Sequence, residues 1–207
     1  MKEVDLLPKN TFFNINKKKR DRIIDESIKE FKKHHYEKAS VNKIIANSNI
    51  AKGSFYQYFK NKKDLFEYII DLIRKEKLTY VTDKIRNPRK YSFFDVISDM
   101  YKITLIFAKE HPDLQAISNK LVQDRDHKIY QQILAENREV ALSEYKKLIE
   151  LGIERKELDA NINTYIVAHL IYSLNREIVD FYSSNTNFTK EEVLNDYLYT
   201  LKNGIGI

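Results

Sequence analysis

The chain has no cysteine among its 207 residues. That excludes a disulfide scaffold, a cysteine-ligated zinc or iron–sulfur site and a thiol nucleophile. Glycine and proline are scarce, at four and three residues, against average usage of about 7% and 5%. So few turn residues argue against a sandwich or barrel of short strands and for long helices. No apolar run approaches the ~18 residues of a membrane span. Residues 1–16 carry neither the apolar stretch nor the small-residue cleavage site of a secretory signal. A soluble cytoplasmic chain with no membrane partner is expected. The 43% of hydrophobic and 32% of charged residues supply a sizeable core and exclude general disorder. The length suits one large domain or two small ones.

Charge is partitioned along the chain. Residues 1–90 hold 23 Lys+Arg against 12 Asp+Glu, a balance of +11, while residues 91–207 hold 13 against 18, a balance of −5. From Lys38 to Lys63 there are six lysines and no carboxylate. Such a window reads either as an ordinary solvated surface or as a polyanion-binding face, where lysines displace counterions condensed on phosphates.

Hydrophobic periodicity predicts helices throughout. Residues 1–16 read as an irregular arm that Phe12, Phe13 and Ile15 could pin to the body. Residues 17–34 read as a helix with Ile24, Ile28 and Phe31 on one stripe. Its opening run, Lys17 to Arg20, stands at the wrong end for the helix dipole. Ser40 is a good N-cap for a two-turn helix over 40–47, and a second short helix spans 51–58. Asn61 with Asp64 has the form of a capping box for a fourth helix, predicted to run to Ile85. Asn87-Pro88 then marks a boundary between domains 1–88 and 89–207. In the second part, helix 92–110 is apolar on two faces and is therefore expected to be central. Further helices are read at 113–122, at 126–151 with Gly152 as its C-cap, at 161–183 and at 189–203. No residue from Ala160 to Asn175 is charged, so that helix needs cover on every side.

Two short helices joined by a tight turn inside the lysine window read as a helix-turn-helix. Val41, Ile44, Ile45, Ile50, Phe55 and Phe59 would form its small core, leaving Lys52, Ser54, Tyr56, Gln57 and Tyr58 outside. Gly53 within the second helix costs about 1 kcal/mol in helix propensity, which makes sense where a backbone must approach a groove closely. The stretch resembles the N-terminal DNA-binding domain of TetR-family transcriptional regulators. The resemblance rests on Phe31, Tyr36, Ser40, Val41, Ile44, Lys52, Gly53, Ser54, Phe55, Tyr56, Tyr58, Phe59, Lys62 and Leu65. It covers residues 20–70, a quarter of the chain. Three positions depart from the family pattern. His35 and Asn49 stand where glycine is usual, so both are expected at positive φ. Ala51 replaces a capping Ser or Thr.

The resemblance implies a homodimer that binds double-stranded operator DNA. Ser40, Tyr56, Lys62 and, by charge and position, Lys43 would hold phosphates. Lys52, Ser54, Gln57 and Tyr58 would face base edges, with Gly53 allowing the approach. The expected fold is all-α, an N-terminal three-helix helix-turn-helix domain followed by a C-terminal helical bundle, about nine helices in all. The dimer is expected on helices 161–183 and 189–203, through Leu174, Ile178, Phe181, Val193, Tyr197, Leu198 and Leu201, placing two recognition helices about 34–36 Å apart. A pocket for an unidentified hydrophobic or amphipathic effector is expected among helices 92–110, 126–151 and 161–183. Its candidate lining is Tyr101, Phe107, Tyr130, Tyr145, His169 and Tyr172. Ligand release of a repressor would then be the mode of action.

Nothing in the residues reads as catalytic. No Glu stands three before any of the five histidines, as a helical di-iron site needs. Asp124 and His127 form one isolated pair, and four glycines make no phosphate loop. No enzyme, metal or cofactor is expected. The alternative is a non-enzymatic helical adaptor whose basic face binds RNA, a membrane or an acidic partner.

Overall fold

The structure, a computed structural model, describes residues 8–123, 127–184 and 187–206, with the side chains of 122, 136, 176, 178–184 and 190 set aside. Among these residues it holds eleven α-helices. Nine have seven residues or more, matching the expected number. The other two, α1 (Asn10–Phe13) and α6 (Asp83–Arg86), are single turns. Residues up to 79 with 111–120 form one compact unit, and residues 80–110 with 121 onward form a second.

The first unit is built on α2 (Lys17–Lys33), α3 (Val41–Asn47), α4 (Lys52–Tyr58) and α5 (Lys62–Thr79), with the body of α8 (Pro112–Gln123). Local signals set most of its boundaries. Asn16 Oδ1 accepts the Lys18 N–H at 2.8 Å, capping the basic start of α2. Ser40 Oγ accepts the Lys43 N–H at 3.3 Å at the head of α3. Asn61 Oδ1 accepts the Asp64 N–H at 3.0 Å, and the buried Asp64 carboxylate reaches back to the Lys60 N–H at 2.8 Å. Ala51 supplies no side-chain cap, and α4 begins at Lys52.

The buried face of α2 differs from the expected stripe. Ile23, Ser27, Glu30 and Phe31 point inward, while Ile24 and Ile28 are only half-buried. The two polar residues are tolerated because each is satisfied. Ser27 Oγ donates to the Ile23 carbonyl at 2.6 Å, and the Glu30 carboxylate accepts the Ser40 N–H at 2.8 Å.

The two turns expected at positive φ part company. Asn49 has φ 53, as expected. His35 has φ −61, in extended backbone, and opens a 3-10 turn over Tyr36–Lys38. A left-handed cap would have satisfied the carbonyls that end α2. The Lys120 ammonium of α8 does so instead, donating to the carbonyls of Phe31 and Lys32, while Lys32 pairs with Asp113 at 2.6 Å. Burial lowers the Lys120 pKa.

The helix predicted to reach Ile85 stops at Thr79, whose Oγ1 turns back to the Glu76 carbonyl at 2.7 Å. In the second unit, α6 follows, and Thr82 Oγ1 donates to Asp99 at 2.8 Å. The bundle comprises α7 (Phe93–Glu110), α9 (Lys128–Glu154), α10 (Thr164–Ser184) and α11 (Lys190–Ile205). As its two apolar faces require, α7 is central and packs against α9, α10 and α11. Its Phe93, Val96, Ile97, Tyr101 and Leu105 join one core with Tyr145, Leu148, Ile149, Leu158, Ile171, Leu194, Tyr197 and Leu201.

Gly152 is not a C-cap. The helix continues to Glu154, and the left-handed residue is Lys156, at φ 57. Glycine is required by close approach: a Cβ on Gly152 would lie 2.8 Å from Leu158 Cδ1. The chain folds back there so that Leu158 is buried and Asp159 N–H reaches the Ile205 carbonyl at 2.9 Å. Thr189 and Glu192 form a full capping box on α11.

Asn49→Ala is expected to lower stability by about 1 kcal/mol, because alanine takes the left-handed backbone without Asn's local hydrogen bonding. Asn49→Gly should match or exceed the parent. Thermal denaturation of the three proteins checks the order.

Candidate nucleic-acid interface

The turn between α3 and α4 is tied by Asn49 N–H to the Ala46 carbonyl at 3.1 Å and Ile50 N–H to the Ile45 carbonyl at 3.2 Å. Ile44, Ile45, Phe55 and Phe59 are buried beneath it, with Val41 and Ile50 half-buried. This small core fixes which side chains face out. Lys43, Lys52, Gly53, Tyr56 and Gln57 are exposed, and Ser40 and Ser54 are half-exposed. They share the stretch that contains no carboxylate, so the outward face is cationic and rich in hydroxyl and amide donors. A Cβ added to Gly53 would meet nothing within 4 Å. The glycine is therefore not required by the chain's own packing.

Two residues expected on this face have other positions. Tyr58 is only 5% exposed. Its ring packs 5.8 Å from that of Phe12, because residue 58 falls on the core side of a helix that must also bury Phe55. Lys62 is directed inward along the chain: its ammonium donates to the carbonyls of Tyr36, Glu37 and Ala39 at 2.7, 3.0 and 3.1 Å. It also lies 4.6 Å from the Tyr36 ring centroid. An ammonium has three N–H donors, and the three carbonyls take them. Lys62 latches the segment before α3 rather than standing open to a phosphate.

The arm contributes more than periodicity suggested. Phe12 is fully buried against Phe59 and Tyr68, at ring separations of 4.9 and 5.4 Å, while Phe13 is exposed and Ile15 half-buried. Lys9 and Thr11 donate to carbonyls at the end of α4. The sequence signal for this was Phe12, Phe13 and Ile15, which says where the arm is pinned and not what it touches.

In the second unit, a cavity of about 400 Å³ is lined by Ile85, Arg89, Val96, Met100, Tyr145, Lys147, Leu148 and Leu151, among others. It is bounded by α6 and the turn after it, α7 and α9, not by α10. Of the six expected lining residues it takes only Tyr145. Tyr101, Phe107 and Tyr130 are buried as core, Tyr101 stacked on Tyr197 at 6.0 Å. Tyr172 is half-buried against the same core. His169 Nδ1 lies 3.3 Å from an Arg138 guanidinium nitrogen, with its ring edge-on to Tyr165. Asn175 Nδ2 donates to the Tyr145 hydroxyl at 3.0 Å. Burial, only partly offset by that bond, pushes the Tyr145 phenol up to about 12, so it stays neutral at physiological pH.

No helix among the described residues is long and apolar enough to cross a membrane. The outward face of α3 and α4, on a core that sets their angle, is that of a helix-turn-helix DNA-binding regulator. The comparisons agree. The model of the tetR family of bacterial regulatory proteins matches residues 23–69. An uncharacterised HTH-type transcriptional regulator of Bacillus subtilis, YhgD, is 25% identical over 177 residues, spanning 83% of this chain and 88% of that protein. The crystal structure of a TetR family transcriptional regulator from Chloroflexus aurantiacus has a TM-score of 0.66 at 27% identity, covering 96% of this chain and 91% of that one. FadR of Bacillus subtilis, solved in complex with stearoyl-CoA, shares the fold with a TM-score of 0.70 at 20% identity, covering 89% and 98%. Residues 23–69 thus match the DNA-binding domain of tetR-family regulators, and the chain is similar over most of its length to transcriptional regulators of that kind. It is a DNA-binding transcriptional regulator and not an enzyme, which sets aside the reading as a helical adaptor.

Lys62→Met is expected to cost about 1–2 kcal/mol of stability through the lost charged hydrogen bonds. The slope of DNA affinity against salt should stay as in the parent, whereas loss of an open phosphate contact would reduce it by about one. Thermal melts and a salt titration of DNA binding separate the two.

Proposed function

We propose that the chain is a homodimeric repressor that binds a two-fold-symmetric operator in the cytoplasm and is released by a small amphipathic ligand. The observation that carries the dimer is the face of α10. Ile166, Leu170 and Leu174 recur every four residues and are 55, 55 and 44% exposed, and Tyr165 beside them is 63% exposed. They lie in the stretch without charged residues, on a helix whose opposite face, Val167, Ala168 and Ile171, is buried in its own bundle. A second copy of the same face would cover it with two-fold symmetry. The side chains of Ile178 and Phe181, also expected there, lie outside the described residues. On α11, Leu194, Tyr197 and Leu201 are used within the chain, Val193 and Leu198 are partly buried, and Tyr199 is 70% exposed. The interface is therefore assigned chiefly to α10.

On the DNA side, Ser40, Lys43 and Tyr56 hold phosphates, and Lys52, Ser54 and Gln57 face bases, with Gly53 allowing close approach. Tyr58 and Lys62 act by holding the motif in shape. For the effector, the cavity near Tyr145 has a volume of about 400 Å³, within the range of small-molecule sites, about 300–1,000 Å³. Apolar Val96, Met100, Leu148 and Leu151 line it beside Arg89 and Lys147. Glu144 also lines it and pairs with Lys147 at 2.7 Å, while Arg89 lies 3.8 Å from Glu154. An apolar wall with this charged rim suits an amphipathic ligand, and FadR, which shares the fold, was solved with stearoyl-CoA.

Selection from a randomised duplex library should enrich a palindromic sequence. Gly53→Ala should leave the melting temperature equal or slightly higher, since alanine favours a helix by about 1 kcal/mol. It should weaken binding to the enriched duplex about tenfold, roughly one contact's worth. Unchanged affinity would remove α4 from the groove. Leu170→Glu should sediment as a monomer at micromolar concentration, and a dimer persisting in that variant would refute the α10 interface.

A further inference from the structure

We propose that Lys9–Phe12 is a positioning clamp on the recognition helix, and that the Thr11 hydroxyl helps set how sharply α4 discriminates one DNA sequence from another. The proposal rests on the reading of α4 as the element that faces bases. A seven-residue helix leaves its last four carbonyls without intrahelical partners. In α4 these belong to Phe55, Tyr56, Gln57 and Tyr58. The Phe55 carbonyl accepts the Phe59 N–H at 2.9 Å as the chain leaves in extended conformation. The other three all accept from the arm. The Lys9 ammonium donates to Tyr56 at 3.1 Å, the Thr11 hydroxyl to Gln57 at 2.5 Å and the Lys9 backbone N–H to Tyr58 at 3.0 Å.

The clamp is itself held. Phe12 is fully buried among the rings of Tyr58, Phe59 and Tyr68. Pro8 is buried, and Arg20 donates to the Phe13 carbonyl at 2.9 Å. The Lys9 cation also stands at the negative end of the α4 dipole, where it is favourable. At its other end α4 has no side-chain cap, since Ala51 provides none. The helix is thus gripped at the C-terminus and left open at the N-terminus. Base-edge contacts depend on side-chain placement to within a hydrogen-bond length, whereas phosphate contacts carry no sequence information. A loosened C-terminal turn should therefore degrade sequence discrimination before general DNA affinity.

The test uses the full chain, with Thr11→Val to remove the hydroxyl at nearly constant shape and Thr11→Ser to restore it. Phe12 is untouched in both. The probes are a duplex enriched by the wild-type protein from a randomised library and a scrambled duplex of the same composition. Loss of one hydrogen bond predicts about three- to tenfold weaker binding of the enriched duplex by Thr11→Val. The scrambled duplex should bind unchanged, and Thr11→Ser should behave as wild type. Without DNA, amide exchange across Lys52–Phe59 should be faster in Thr11→Val alone. Unchanged exchange would overturn the clamp. Faster exchange with an unchanged ratio of the two affinities, or an equal loss on both duplexes, would overturn its role in discrimination. A wild-type protein that enriches no duplex would overturn the recognition reading, and exchange would still report on the clamp separately.

Discussion

Helices of seven residues cannot satisfy their own backbones. With four N–H groups unpaired at one end and four carbonyls at the other, α3 and α4 are almost all terminus. The same shortage recurs at the ends of α2 and α5 and in the 3-10 turn before α3, and side chains from elsewhere meet it throughout the first unit. Ser40 and Asn61 serve N–H groups at helix starts, while Lys9, Thr11, Lys62 and Lys120 serve carbonyls. Most of the donors to carbonyls are ammonium groups, which give charge-assisted bonds and stand where the helix dipole or the bare carbonyls are negative. The basic composition of this part of the chain therefore has two uses. Some lysines hold the motif together, and only the remainder are open to a polyanion. Counting lysines does not separate the two groups.

The second unit meets a different demand. Its aromatic residues, which look like a pocket lining, mostly fill a solid core, as the stacking of Tyr101 on Tyr197 shows. Buried hydroxyls such as that of Tyr145 then need partners, and Asn175 provides one from α10. With that face of α10 committed inward, Ile166, Leu170 and Leu174 must face out. Core formation and surface apolarity are thus two sides of one charge-free helix.

Much of the fold could be read from short-range signals. The left-handed Asn49 follows from its standing where the resembled family pattern has glycine, and nine helices and the caps at Ser40 and Asn61 follow from periodicity and from residues within a turn of each other. The outward placement of Lys52, Gly53, Tyr56 and Gln57 follows in the same way. What was illegible depends on distant partners. His35 avoids positive φ because Lys120, far along the chain, caps α2 in place of a left-handed turn. The buried face of α2 shifts because Glu30 finds the Ser40 N–H. Lys62 and Tyr58 fit the family motif by position, but their orientations are decided by the 3-10 turn and by Phe12. Gly152 reads as a helix end by residue type, and only the return of Leu158 shows it to be a packing site.

The Lys120 bonds carry a mechanical consequence. Its ammonium joins the last turn of α2 from a residue on α8, Lys32 and Asp113 add an ion pair, and Ile117 between them is buried. Sliding α8 by one helical turn, about 5.4 Å, would strand two carbonyls and a partly desolvated cation together. Smaller strains would already bend bonds that tolerate only a few tenths of an ångström. The two helices are splinted at that point, so a push along α8 would be passed on to α2 as a rigid stroke instead of being absorbed by slack between them.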